Sequence, residues 1–218
     1  MNDDVYSSIP MTIIAFDLDG TLSDPAVGIT TSINYALREL GAAAQDPENL
    51  TQYIGPPLVQ VFSTLLKTTD TAVLERAISS YRERYFSVGY TENVLYTGIR
   101  NALFNLTQNG HRLYIATSKR TDIAKTVIEY FELQSYFVQV LGCGRKREKH
   151  ELLKEIIDKE KGSNLLMIGD RSHDMRAGRI VSATCIGVLW GYGNTAELEN
   201  AGAEVLLQHP HEILGYFT

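Results

Sequence analysis

Two pairs of aspartates carry the most chemical information in this sequence. Asp17 and Asp19 lie in Asp17-Leu18-Asp19-Gly20-Thr21, directly after the apolar run Met11–Phe16. Asp170 and Asp174 lie in Ile168-Gly169-Asp170-Arg171-Ser172-His173-Asp174, directly after the apolar run Leu165–Ile168. Neighbouring carboxylates repel one another and need a cation or a shared proton. Asp17, Asp170 and Asp174 together could form an oxygen-rich site for a hard cation, and Mg²⁺ suits such ligands. Gly20 permits a tight turn with backbone close to a ligand. Plainer readings stand beside these. Asp19-Gly20 is also an ordinary turn after a strand, and Asp174 also suits the cap of a following helix. His173 has no second His or Cys at metal spacing and reads as structural or surface.

Two further segments could handle an anion. Thr117-Ser118-Lys119 closes the run Leu113–Thr117 and offers hydroxyls and backbone N–H groups at a strand-to-helix junction, where a phosphate oxygen is readily bound. The same residues also read as a helix cap. The basic run Gly144-Arg145-Lys146-Arg147-Glu148-Lys149 reads mostly as a solvated face, but one of its lysines would supply the positive charge that acidic groups and a phosphate both require.

The elements that must position these residues alternate. Short apolar runs at Met11–Phe16, Leu113–Thr117, Val138–Leu141, Leu165–Ile168, Cys185–Leu189 and Val205–Leu207 predict buried strands. Helical patterns separate most of them, one with Thr97 as N-cap and Gly110 as stop, another ending near Gly162. The alternation predicts an α/β fold with a parallel sheet and right-handed crossovers. The stretch from about Asp24 to Asn93 breaks it with helical patterns and no strand. Asp24-Pro25, Asp46-Pro47, Pro57 and Asp70 or Thr71 mark four helix starts. A helical block of this size between the first two strands predicts an inserted cap.

Composition narrows the classes. The chain has 218 residues, a net charge of −6 and two cysteines, and its pI is about 5.4. The acidity argues against a nucleic-acid partner or an anionic membrane surface. Cys143 and Cys185 stand in no metal or disulfide spacing and read as buried thiols of a cytoplasmic protein. Met1–Pro10 lacks the charge and apolar run of a signal peptide.

Taken in order, these segments resemble the haloacid dehalogenase superfamily of phosphatases. DLDGT is similar to its first motif, Thr117 to its second, a lysine of the basic run to its third and GDRSHD to its fourth. Ile54-Gly55-Pro56-Pro57-Leu58, Tyr96-Thr97-Gly98-Ile99, Ala116-Thr117-Ser118-Lys119 and Gly187–Gly193 (GVLWGYG) resemble the phosphoglycolate-phosphatase-like branch. The resemblance implies a Rossmann-like parallel sheet flanked by helices, with core residues 1–22 and 94–218 and a small helical cap at 23–93. It implies a Mg²⁺-dependent phosphatase acting on a small phosphorylated metabolite, phosphoglycolate-like or a nucleotide. Asp17 would be the nucleophile, forming an aspartyl-phosphate, and Asp19 the general acid and base. Thr117, Ser118 and Lys149 would bind phosphate. The metal would be held by the Asp17 carboxylate, the Asp19 carbonyl and Asp170, with Asp174 acting through water or from just outside the ligands. The family's third-motif lysine is often followed by proline, and neither Lys146 nor Lys149 is; the Lys-x-Glu register favours Lys149. Asp19 argues against a dehalogenase, which lacks that second aspartate, and no Schiff-base lysine of a phosphonate hydrolase stands out in the cap. A phosphomutase of the β-phosphoglucomutase type, or a catalytically silent binding protein on the same fold, is the alternative. The oligomeric state stays open.

Overall fold

The structure is a computed structural model that describes residues 11–144, 147–161 and 164–217. Every expected apolar run becomes a strand of one parallel sheet. The strands are β1 (Ile13–Phe16), β4 (Arg112–Thr117), β5 (Phe137–Gly142), β6 (Leu165–Gly169), β7 (Thr184–Val188) and β8 (Val205–Leu207). Their spatial order is β5-β4-β1-β6-β7-β8. β1 is central, its Phe16 in register with Ile115 on one side and Ile168 on the other. From β1 the chain first builds outward through β4 and β5, then returns to build β6, β7 and β8. The carboxyl end of β1 is therefore a switch point, where open α/β sheets form their ligand crevice.

Both faces of the sheet are covered, which explains the unbroken apolar runs. Ile14 and Phe16 face α5 (Ile99–Gln108) and α6 (Thr121–Tyr130), packing with Leu103, Leu106, Val127 and Ile128. Ile13 and Ala15 point the other way, as the period of a strand requires, and pack with Leu152, Leu153 and Ile156 of α7 (Lys149–Lys159) and Ala177 of α8 (Ser172–Ile180). α9 (Thr195–Ala201) and α10 (Glu212–Gly215) complete the layers.

Between β1 and β4 the chain forms α1 (Ala26–Glu39), α2 (Pro47–Leu50), α3 (Leu58–Leu66) and α4 (Thr71–Arg84). Their apolar stripes meet in a buried cluster of their own, including Ile29, Ile33, Leu37, Phe62, Ile78, Tyr81 and Tyr85. Asp46 and Asp70 cap α2 and α4 with side-chain acceptors, as their positions before the helices predict. Two boundaries differ from expectation. Asp24 belongs to a two-residue strand, β2 (Ser23–Asp24), antiparallel to β3 (Val94–Leu95). The helix after it starts one residue later than expected, with Pro25 as its N-cap, although Asp24 Oδ1 still accepts from the Ala26 N–H at 2.9 Å. Such a short ribbon has no periodicity to read in sequence. Likewise α5 is capped by Gly98 at φ 95° rather than by Thr97. The expected stop at Gly162 lies outside the described residues; α7 closes at Lys159. Among the described residues no helix is long and apolar enough to cross a membrane.

Candidate active site

The chain leaves β1 through a loop tied down on every side. The Asp17 N–H donates to the Ile168 carbonyl at 2.9 Å, and the Leu18 carbonyl accepts from the Leu22 N–H at 2.9 Å. Gly20 has φ 85°, and a Cβ there would fall 2.2 Å from Asp170 Oδ2. Only glycine lets the first-motif turn lie against the fourth-motif carboxylate. Thr21 donates to Asp170 Oδ1 at 3.1 Å, and the Trp190 indole N–H donates to the Thr21 carbonyl at 2.9 Å. Asp17 and Asp170, separated by most of the sequence, thus share one crevice at the ends of adjacent strands.

Lys149 enters from the side. It is the first residue of α7, whose start is set by a capping box between Glu148 and Glu151. Its ammonium lies 2.9 Å from Asp17 Oδ1 and also donates to Asp174 Oδ1. All three residues are buried. Burial alone would lower the lysine's pKa, but Asp17 and Asp174 outweigh it and hold Lys149 above its usual value. Lys146 lies outside the described residues. Asp174 also accepts from the Arg171 N–H at 3.0 Å. Burial would raise its pKa, yet His173, Lys149 and that N–H together depress it.

Asp170 is less well compensated. It is fully buried and, among the described residues, accepts from Thr21 and, at 2.8 Å, from the Tyr192 N–H. Burial raises its pKa well above the ordinary carboxylate value, with Asp174 and Asp17 adding to the shift. Asp17 is also raised, chiefly by burial, against the pull of Lys149. Three buried carboxylates thus share one lysine that reaches only two of them. Asp19 Oδ1 is buried with no hydrogen-bond partner. A divalent cation with oxygen ligands fits this deficit, and the donor set suits Mg²⁺.

His173 lies nearer the site than its spacing suggested. Its Nε2 stands 3.4 Å from Asp174 Oδ1, and ligand atoms of Asp17, His173 and Asp174 fall within 4.8 Å of one another. Asp170 is not in that trio. Lys149 already bridges Asp17 and Asp174, so the trio's closeness reflects the lysine, and the uncompensated charge remains at Asp170. Burial lowers the His173 pKa and favours the neutral imidazole.

Thr117 ends β4 beside Asp17 and is buried; its Oγ1 accepts from the Lys119 N–H at 3.3 Å. Ser118 follows it, half-buried. Lys119 closes the Thr117-Ser118-Lys119 junction; its ammonium lies 2.7 Å from Asp19 Oδ2 and donates to Tyr85 Oη of the helical insert at 3.0 Å. A second bridge to the insert runs from the fourth motif. Arg171 Nη1 donates to the Ile54 carbonyl at 2.8 Å, while its Nε donates to Glu197 Oε1 at 3.0 Å. Gly55, at φ 105°, lies so close that an added Cβ would come within 3.1 Å of His173 Cε1. The exposed Gln52 side chain donates to the Asn49 carbonyl at 2.8 Å. The bridges made by Lys119 and Arg171 could not be read from sequence, because their partners lie on an insert whose docking no local pattern encodes.

The fold agrees with the comparisons. The profile of the haloacid dehalogenase-like hydrolases matches residues 14–188. The chain belongs to that family. It is 39% identical over 190 residues to a 5'-nucleotidase of Pseudomonas aeruginosa, covering 85% of this chain and 86% of the other. It is 28% identical over 209 residues to a phosphoglycolate phosphatase of Aquifex aeolicus, covering 94% and 95%. A haloacid dehalogenase-like hydrolase of Streptococcus pneumoniae superposes with TM-score 0.88 at 29% identity, covering 95% and 99%. The protein tyrosine kinase A of Mycobacterium tuberculosis shares the fold too, with TM-score 0.82 at 28% identity over 95% and 98%. The family and its phosphatase-named members make this chain an enzyme of the phosphatase class. One fold carries several reactions, so the chemistry is argued from the site.

Proposed function

We propose that this phosphatase hydrolyses phosphomonoesters of small metabolites through an aspartyl-phosphate on Asp17. The observation that carries the reading is the buried Asp17 carboxylate at the end of the central strand, 2.9 Å from the Lys149 ammonium, with Asp19 two residues on. Asp17 attacks phosphorus in line, and the ester oxygen leaves with a proton from Asp19. Asp19 then takes a proton from water, whose oxygen attacks the same phosphorus, releasing inorganic phosphate and restoring Asp17. Lys149, Thr117, Ser118 and the loop amides hold the phosphoryl oxygens with fixed donors. Mg²⁺, held by the Asp17 carboxylate, the Asp19 carbonyl and Asp170 with Asp174 nearby, would neutralise the phosphoryl charge that this acidic crevice otherwise repels.

Residues 23–93 act in this reading as a cap over a core of residues 1–22 and 94–218. The β2–β3 ribbon is the hinge, and the Arg171–Ile54 contact fastens the closed position. Closure excludes water and selects the leaving group. Two free thiols, Cys143 and Cys185, support a cytoplasmic setting.

The test is phosphate release from a panel: phosphoglycolate, nucleoside 5'-monophosphates, pyrophosphate and sugar phosphates, after exhaustive chelation and after adding back Mg²⁺ or Mn²⁺. Manganese is included because His173 nitrogen lies within reach of the carboxylates. Turnover should vanish on chelation and return with Mg²⁺. Full activity in the chelated enzyme would remove the metal from the account. For the cap, Arg171→Gln deletes the charged donor to the Ile54 carbonyl, a bond of roughly 1.5–3 kcal/mol. KM should rise about tenfold or more, with kcat much less affected, and amide exchange should quicken across residues 51–55. Unchanged KM and exchange would show that the contact fastens nothing.

A further inference from the structure

Tyr192 lies in the loop that follows β7, and three of its groups reach three different parts of the molecule. Its N–H donates to Asp170 Oδ2 at 2.8 Å. Its hydroxyl donates to Asp24 Oδ1 in β2. Its half-buried ring packs against the apolar cluster of the helical insert. The loop itself is seated on the fourth motif by two glycines. A Cβ at Gly191 would fall 2.4 Å from Asp170 Cβ, and one at Gly193 would fall 1.9 Å from the Asp170 carbonyl oxygen. A side chain at either position would lift the loop away, so the close approach requires glycine. Trp190 ties the same loop to Thr21, which is the other donor to Asp170.

Asp24 stands where the chain enters the insert. It pairs with Val94 in the β2–β3 ribbon, and its Oδ1 also accepts the Ala26 N–H at 2.9 Å, at the start of α1. One carboxylate oxygen thus joins the first helix of the insert to a loop of the core. The path is continuous: α1, Asp24, the Tyr192 hydroxyl, the Tyr192 N–H and Asp170. A swing of the insert about the ribbon would carry Asp24 away with α1. The Tyr192 hydroxyl would lose a charged acceptor and the ring its apolar contacts. The N–H would then be less firmly aimed at Asp170 Oδ2.

We propose that Tyr192 is a positioning residue that couples the insert to the cation site: docking of the insert aims Asp170 at a divalent cation, and a bound cation favours docking in return. The coupling is reciprocal, as linkage between two equilibria requires. The inference rests on reading Asp170 as a cation ligand and residues 23–93 as a cap, and it adds the residue that relays one to the other.

Mg²⁺ alone, without substrate, is the probe. Its Kd is measured by calorimetry, and amide exchange is followed across residues 22–26 and 94–97 with and without it. In the unaltered protein, saturating Mg²⁺ should slow exchange there by about tenfold, the order expected of one hydrogen bond to a charged group. Tyr192→Phe keeps the ring and the N–H and removes only the hydroxyl. In that variant the Mg²⁺-dependent slowing should largely disappear, and the Kd for Mg²⁺ should rise by about the same factor, since the coupling is reciprocal. Asp24→Asn, which keeps an acceptor for the Ala26 N–H but removes the charge, should shift both readouts the same way and serves if Tyr192→Phe does not fold. A merely structural Tyr192 would lower the Tm of the variant and leave its Kd and its Mg²⁺-dependent slowing as in the unaltered protein, which would overturn the proposal. So would Mg²⁺ binding that leaves exchange unchanged in the unaltered protein. No binding of Mg²⁺ to the unaltered protein would instead remove the cation reading, and this inference with it.

Discussion

Asp17→Asn should abolish turnover while the protein stays folded, with a Tm unchanged or higher. Asparagine has the shape of aspartate and still offers an acceptor to Lys149, but its amide oxygen is too weak a nucleophile to form the phosphoenzyme. Removing the single nucleophile of a covalent mechanism costs about 10⁴-fold or more in kcat. The stability side follows from the sign of the shift. Asp17 is raised above its ordinary pKa, mainly by burial. Its ionised form is therefore costly in the folded state, and that cost sets in as pH rises through the unfolded value. At neutral pH the wild-type protein carries the cost, and the neutral amide removes it. Phosphate release together with thermal unfolding checks both halves. Residual activity near wild type would displace Asp17 from the mechanism.

Lys149→Met should lose both activity and stability, and the contrast with Asp17→Asn is informative. Lys149 is 5% exposed and touches Asp17 and Asp174 at once. Without it, three buried carboxylates keep no cation among the described contacts. Breaking a buried ion pair by removing one partner costs roughly 3–5 kcal/mol. The transferring phosphoryl group also loses a fixed donor, and such losses cost about 10²- to 10³-fold in kcat. Urea unfolding and kcat measurements should therefore fall together. A Lys149→Met protein as stable as wild type would mean that Asp17 and Asp174 share a proton instead of relying on the lysine.

The parallel sheet was legible because its strands are buried on both faces, so they stand out as short apolar runs between turn residues. The helical insert was legible through Gly41, Asp46 and Asp70, whose positions mark helix ends. The positions of Asp17, Asp170 and Lys149 followed from strand ends and from a helix start. The two-residue strands were not legible, since Ser23–Asp24 and Val94–Leu95 are too short to show a period. The Arg171–Ile54 and Lys119–Tyr85 bridges were not legible either. One uses a backbone carbonyl, which carries no sequence signal, and the other pairs residues 34 positions apart across two separate hydrophobic clusters. The Ile54-Gly55-Pro56-Pro57 loop is legible as a rigid turn before a helix, but its docking on the core is not. The structure sets Gly55 against His173 and the Ile54 carbonyl on Arg171.

The central claim is covalent catalysis by Asp17, and the phosphoenzyme itself tests it most directly. Enzyme quenched in acid during turnover of its best substrate, then reduced with borohydride, converts an acyl phosphate to homoserine. Peptide mass spectrometry should find homoserine at position 17, and it should be absent when substrate is omitted or when Asp17→Asn is used. Rapid phosphate release with position 17 unmodified, or a reduced residue at Asp19, Asp170 or Asp174 instead, would contradict the account.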